Sequence, residues 1–286
     1  MAAVVVNFNA ASHLGPCVAS LRDNGVGRVV VVDNGSTDGS RQAVAGSGVH
    51  WVDAGANLGY GAAANVGSAW LSGDDLVICN PDVVAHPGTV AALRRRLAAE
   101  EDLAVIGPRL ENPDGSLYPS ARSFPDMVDA VGHGLLGIVA PRNPFTRRYR
   151  MLDWDHAQAS RVDWVSGAFM LVRRSAWDAL GGFDPAYFMY MEDVDLCWRA
   201  HRSGYGVAYE PAAVVTHAQG ASSRQRPYRM LAAHHRSMWR FARRCTTGGR
   251  RAALPLIGAG LAARLAVTSA HHLAGATRNR ATRPLP

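Results

Sequence analysis

The sequence predicts an α/β fold, a Rossmann-like and mostly parallel sheet flanked by helices, with a basic helical extension at its C-terminal end. Three observations carry this expectation. Over the first hundred residues, short β-branched runs alternate with helix-like stretches, the pattern of a parallel sheet covered by helices. The first four of those runs each end in a polar cluster, at the edge where open α/β sheets take ligands. Charge is also divided along the chain: all 23 acidic residues lie at or before Glu210, whereas 13 of the 30 arginines follow it, and there is no lysine.

Taken in order, the β-branched runs predict strands near residues 3–6, 28–32, 49–52, 76–79 and 104–106. Helices are expected to begin near Ser12, Gly39, Gly61 and Pro87, with Ser12 as an N-cap and an exposed run Arg94, Arg95, Arg96 on the fourth. From Leu110 to Ser160 prolines and glycines break the pattern, which reads as a long loop region; loops of that length in compact domains are usually functional. Strands return at 162–165 and 169–172, then a turn at Gly181-Gly182 and a helix near 193–202. Two basic helical stretches close the chain, near 227–244 and 254–272. The domain division expected is 1–221, with a ligand-binding half 1–109 and a catalytic half 110–221, followed by the extension 222–286.

With 286 residues, 48% apolar and 19% charged, the chain has enough core for a globular fold and is neither disordered nor fibrous. Cys17, Cys79, Cys197 and Cys245 form no C-x-x-C pair, so free thiols in a reducing compartment are expected. The early strand leaves no room for a signal peptide. The longest apolar run, Ala252 to Ala263, has 12 residues and reads as too short to span a bilayer, although its arginine flanks suit an anionic membrane surface. A nucleic-acid partner is not expected, because only Tyr228, Trp239 and Phe241 interleave the basic tail.

The polar clusters are Asn7-Phe8-Asn9, Asp33 to Gly39, Asn57 to Gly61 and Asn80-Pro81-Asp82. Each alone is also what a tight turn would use, and four at equivalent edges make one site. Gly59 to Ala64 fits G-x-G-x-x-A, but it belongs to the third unit and follows a poor strand, so a dinucleotide oxidoreductase is a minor reading. Glu192, Asp193 and Asp195 lie within four residues beside several aromatics. Asp195 can pair with Arg199 and one of the others can cap the helix; the remaining carboxylate stands where a general base could. His217 matters only if it faces Asp82, a donor pair suited to Mg²⁺ or Mn²⁺.

The ordered motifs VVDNGSTDGS, NLGYGAAANVG, NPDV, SGAFMLVRRSAWDALGGFD and FMYMEDVDLCWR resemble the inverting glycosyltransferases of family 2, over roughly residues 3–245. The resemblance implies the GT-A form of the fold. It implies that Asn7, Phe8 and Asp33 line the nucleobase pocket, that Asn57 and Gly59 lie against ribose and diphosphate, and that Asp82 and His217 hold the metal. Asn80 stands where the family's D-x-D motif has its first acid. Asp193 falls at the catalytic base, with Glu192 as its rival. PDGSLYPSARSFP, PRNPFTRRYR and LAAHHRSMWRF are most similar to the actinobacterial rhamnosyltransferases of cell-wall linker assembly. Those transfer L-rhamnose from dTDP-L-rhamnose to polyprenyl-diphosphate-linked N-acetylglucosamine, which implies a cytoplasmic enzyme peripheral on the inner face of the plasma membrane. Trp164, Ser166 and Gly167 are then the expected acceptor contacts, and Arg224, Arg226 and Arg229 the contacts for its diphosphate. The alternative is a family 2 enzyme using another nucleotide sugar, such as a UDP-sugar, on a different acceptor.

Overall fold

A computed structural model describes residues 1–124, 154–218 and 227–281, with five isolated positions between 140 and 151. Strands β1 (Ala2–Asn7), β2 (Arg28–Asp33), β3 (His50–Asp53) and β4 (Leu76–Cys79) run parallel, in the order β3-β2-β1-β4. The sheet continues through β11 (Phe169–Val172), which is antiparallel to both β4 and β6 (Leu103–Glu111). Beyond β6 come β12 (Gly206–His217), parallel to it, and β5 (Val83–Ala85), antiparallel to β12. The expected mostly parallel sheet is therefore present, with a mixed second half.

Period-two alternation sorts the side chains of the central strands between two layers. Val4, Val6, Val30 and Val32 pack with α3 (Tyr60–Ser68), α5 (Arg174–Leu180) and α6 (Glu192–Arg202). Ala3, Val5, Val29 and Val31 pack on the other face with α1 (Ala11–Asp23) and α4 (Thr89–Ala99). Each fully buried valine stabilises by about 1.5–3 kcal/mol relative to exposure, so both faces must be covered. All four cysteines are free.

Several local expectations need correction. Ser12 does not cap α1: the helix starts at Ala11, and the N–H of Ala11 donates instead to Asp38 Oδ2 at 2.9 Å, from the loop after β2. Arg96 is not fully exposed, because it pairs with Glu100 at 2.6 Å. The turn at Gly181-Gly182 is preceded by α5, and Gly181, which caps that helix, takes the left-handed conformation (φ 71°) that ends a helix. The expected strand at 162–165 shortens to β10 (Trp164–Val165), which pairs with β8 (Ala121–Arg122) in a second small sheet. The long loop region holds β7 (Leu117–Tyr118), β8 and β9 (Ser160–Arg161).

After β12 come α7 (Pro227–Cys245), a 3₁₀ segment Gly248–Ala253, and α8 (Leu254–Ala281). Helix α7 docks on the catalytic body: Ser237 Oγ donates to Met189 O at 2.9 Å, and Arg240 and Arg244 each reach Asp184 at 2.8 Å. The tail was also expected to be too short to cross a bilayer. Gly248–Ser269, 22 residues at a peak mean hydropathy of 1.5, is long and apolar enough by length and composition. Counting an unbroken apolar run missed this, because Arg264 interrupts the run without ending the helix. Leu256 (74% exposed) and Val267 (53%) show an apolar surface that the other described residues do not cover.

Candidate active site

The C-terminal ends of β1, β2 and β4 meet the loop before α6 around a cleft of about 650 Å³. In-register pairing sets Asn7 opposite Asp33. Asn7 Nδ2 donates to Asp33 Oδ1 at 2.8 Å and to Ser36 Oγ at 3.0 Å, while the Ser36 N–H donates to Asp33 Oδ2 at 3.0 Å. Asp33 thus does form the turn, and it braces a loop whose Asn34, Gly35 and Thr37 line the cleft. Phe8, Asn57 and Asp82 line it directly; Asn7, Asp33 and Gly59 stand behind the lining residues.

Gly59 has φ 89°, and a Cβ there would fall 2.1 Å from Phe188 O. At Gly61 a Cβ would meet Phe183 Cβ at 2.9 Å. These glycines let α3 approach the segment before α6, and the Tyr60 N–H donates to Phe188 O at 3.1 Å across that contact. The G-x-G-x-x-A pattern therefore has a packing cause.

Antiparallel pairing of β12 with β5 sets His217 opposite Val83, next to Asp82. His217 Nε2 lies 3.2 Å from Asp82 Oδ1 and 3.3 Å from Asn80 Nδ2. The imidazole faces the carboxylate, the condition under which it becomes a candidate ligand. Among the described residues no cluster of three or more His, Cys, Asp or Glu is placed to hold a metal, so Asp82 and His217 stand there as a pair of donors.

The turn before α6 is strained, with Tyr190 and Met191 both left-handed (φ 66° and 68°). Consecutive non-glycine residues in that region each cost about 1–3 kcal/mol and concentrate at functional sites. Here they aim the first turn of α6 at the cleft. Neither Glu192 nor Asp193 is the helix cap, which is Met191; both lie inside the first turn. Asp193 Oδ2 accepts from the Gly167 N–H at 2.9 Å and Oδ1 from the Val194 N–H at 2.8 Å.

Loss of water around Asp193 raises its pKa above the usual aspartate value, and the two amide bonds and the Arg122 charge do not cancel the rise. Desolvation therefore outweighs the helix terminus, which leaves Asp193 a stronger base than an ordinary aspartate. Glu192 is only 5% exposed, its Oε2 has no hydrogen-bond partner among the described residues, and burial followed by the Asp193 charge pushes its pKa well up. Asp195 is fully buried and pairs with Arg199 at 2.7 Å, as its spacing implied.

Trp164, Ser166 and Gly167 line the cleft next to Asp193, and Arg229 reaches it from α7. Arg224 and Arg226 lie outside the described residues. Sequence reasoning missed Tyr60, whose hydroxyl donates to Gly167 O at 2.5 Å, and Arg122, whose guanidinium lies over the rings of Trp164 and Tyr118 at 5.1 and 5.7 Å. Arg122 sits in PDGSLYPSARSFP, a stretch that carried the narrower resemblance without pointing to any role for the arginine.

Residues 1–243 match the model of a family described as glycosyltransferase-like family 2. The chain belongs to glycosyltransferase family 2. A family 2 relative from Mycobacterium tuberculosis, the N-acetylglucosaminyl-diphospho-decaprenol L-rhamnosyltransferase, is 40% identical over 255 residues, 83% of this chain and 82% of its own. Among solved structures, the mannosyltransferase of Pyrobaculum calidifontis in complex with GDP-Man and Mn²⁺ superposes with a TM-score of 0.57 at 17% identity, over 99% of this chain and 80% of that one. GalNAc-T7 with UDP, GalNAc and Mn²⁺ gives 0.56 at 17%, over 76% of this chain and 43% of its own. These two likenesses establish the GT-A fold of this glycosyltransferase.

Proposed function

We propose that this enzyme transfers L-rhamnose from dTDP-L-rhamnose to the 3-hydroxyl of N-acetylglucosaminyl-diphospho-decaprenol, with inversion, in assembly of the arabinogalactan linker. The observation that carries the reading is 40% identity over four-fifths of both chains to a relative named as an L-rhamnosyltransferase of N-acetylglucosaminyl-diphospho-decaprenol. Asp193 serves as the general base: its carboxylate lies at the cleft, its raised pKa strengthens it, and two amides fix its direction. It takes the proton of the acceptor hydroxyl as that oxygen attacks the anomeric carbon from the face opposite the leaving diphosphate. The C–O bond to the diphosphate breaks in the same displacement, so no covalent enzyme intermediate is required. Burial and the Asp193 charge raise the Glu192 pKa and so favour its neutral form, which limits the negative charge beside the base.

Asp82 and His217 fit a divalent cation by the chemistry of their donors, a carboxylate oxygen and an imidazole nitrogen converging at 3.2 Å. The Mn²⁺ in two structural neighbours supports such a cation, Mg²⁺ or Mn²⁺. When bound it supplies charge that stabilises the departing diphosphate. Phe8 and the loop braced by Asn7 and Asp33 form the wall for the nucleobase, while Asn57 faces the ribose and diphosphate from the turn that Gly59 holds against Phe188. Trp164, Ser166 and Gly167 bound the acceptor side beside Asp193, and Arg224, Arg226 and Arg229 take its diphosphate.

Helix α8 seats the enzyme on the inner face of the plasma membrane, where its exposed apolar residues and flanking arginines meet anionic lipid. A donor panel tests the reading: turnover with dTDP-L-rhamnose and not with UDP- or GDP-sugars is expected. Preference for a UDP-sugar would keep the fold and base and overturn the donor and pathway.

A further inference from the structure

Beside the cleft lies a groove of about 1070 Å³ between one face of α7 and the surface that includes Leu58 and Pro185. Phe188 and Arg229 line both hollows, so the groove opens from the cleft itself. Its helical wall carries Arg229, Arg236 and Arg243, spaced seven residues apart and therefore in one row about 21 Å long. Arg240 and Arg244 on the same wall are held by Asp184 at 2.8 Å each, and anchor the helix. Arg236 and Arg243 are exposed and make no ion pair among the described residues. No acidic residue follows Glu210 in the sequence, so neither α7 nor α8 supplies one to neutralise the row.

The far end of the groove reaches the apolar helix. Trp239 lines the groove and also meets α8, where a Cβ at Gly258 would lie 3.3 Å from the Trp239 ring. Arginines thus link the reacting cleft to a helix with Leu256 74% exposed. A ligand matching that order has a sugar at one end, a concentrated negative charge next to it and an apolar chain beyond. We infer that the groove seats the diphosphate of a polyprenyl-linked acceptor, with Arg229 and Arg236 on the diphosphate, Arg243 at the entry and the prenyl chain leaving past Trp239 toward α8. This rests on the polyprenyl part of the function proposed above, and it extends the diphosphate contact of Arg229 to Arg236 and Arg243 on the same helix, which had been given no role.

The test uses the full chain and a probe without sugar. Sedimentation is measured with phosphatidylcholine vesicles carrying decaprenyl diphosphate, and with vesicles carrying phosphatidylglycerol at equal total charge. The expected result is at least tenfold tighter binding to decaprenyl diphosphate, reduced about tenfold in Arg236→Gln/Arg243→Gln and largely restored in Arg236→Lys/Arg243→Lys. Equal binding to both kinds of vesicle, or undiminished binding by the glutamine variant, would overturn the inference. Because the probe carries no sugar, a wrong donor would leave this outcome untouched, so failure of the rhamnosyl reading is distinguishable.

Discussion

The Gly167 N–H donates to Asp193 Oδ2 at 2.9 Å, while the Gly167 carbonyl accepts from the Tyr60 hydroxyl at 2.5 Å. One peptide segment therefore ties the helix after β3 to the base at the start of α6. A Cβ at position 167 would lie 3.2 Å from Asp193 Cβ, so the close approach favours glycine.

Asp193→Asn keeps the shape and removes the base. Turnover is expected to fall by about 10²- to 10⁴-fold, the usual worth of a general base, with donor affinity little changed. Steady-state rates and nucleotide titration separate the two. In the wild type the acidic limb of kcat against pH should lie above the ordinary aspartate value of 3.8, because the base must be ionised and its pKa is raised.

Glu192 gives a stability signature of definite sign. Its folded pKa is raised above the ordinary glutamate value of 4.5, so the native state binds more protons than the unfolded state at pH values between the two. Stability then falls as pH rises above about 4.5, until the folded pKa is passed. Glu192→Gln removes this cost, and its melting temperature should exceed that of the wild type at neutral pH, with the advantage shrinking toward pH 4. Melts across pH check it; a variant less stable at every pH contradicts it.

Metal dependence follows from Asp82 and His217. Chelation should abolish transfer, and Mn²⁺ or Mg²⁺ should restore it. Asp82→Asn and His217→Ala should each raise the cation concentration for half-maximal rate by about 10- to 100-fold, the scale at which even outer partners of a metal matter. Titrating the cation into each chelated variant is the measurement.

The sheet was legible because β-branched runs and the polar clusters after them are local signals, and the Asp195–Arg199 pair follows from helical spacing. The meeting of His217 with Asp82 was implied by the family resemblance alone, because it depends on the register of β12 against β5, which no local signal carries. Helix α5 escaped because the Gly181-Gly182 turn was read without the helix it ends. Gly59 and Gly61 looked like phosphate-binding glycines, but Phe188 and Phe183, over 120 residues away in sequence, fill the space their side chains would need. Glu192 and Asp193 both line the cleft; the amide bonds that fix Asp193 and the deeper burial of Glu192 come from tertiary packing, which is not written in their spacing.

Gly59→Ala tests that packing. A Cβ 2.1 Å from Phe188 O, at a φ that L-residues avoid, is expected to cost about 2–4 kcal/mol. Denaturant unfolding measures it, and a loss below about 1 kcal/mol would mean that α3 and the Phe188 segment can separate freely.

Truncation after Thr247 removes α8 and leaves the cleft. Sedimentation with anionic vesicles should weaken while dTDP-L-rhamnose binding persists. Unchanged sedimentation would mean that α8 does not hold the enzyme to the membrane.

The central claim is tested most directly by incubating the wild type and Asp193→Asn with dTDP-L-rhamnose and N-acetylglucosaminyl-diphospho-decaprenol, with and without Mg²⁺, and assigning the anomeric configuration of the product by NMR. The account expects a rhamnosylated lipid of inverted configuration, formed only when both the cation and Asp193 are present. Retained configuration, or full activity in Asp193→Asn, would contradict it.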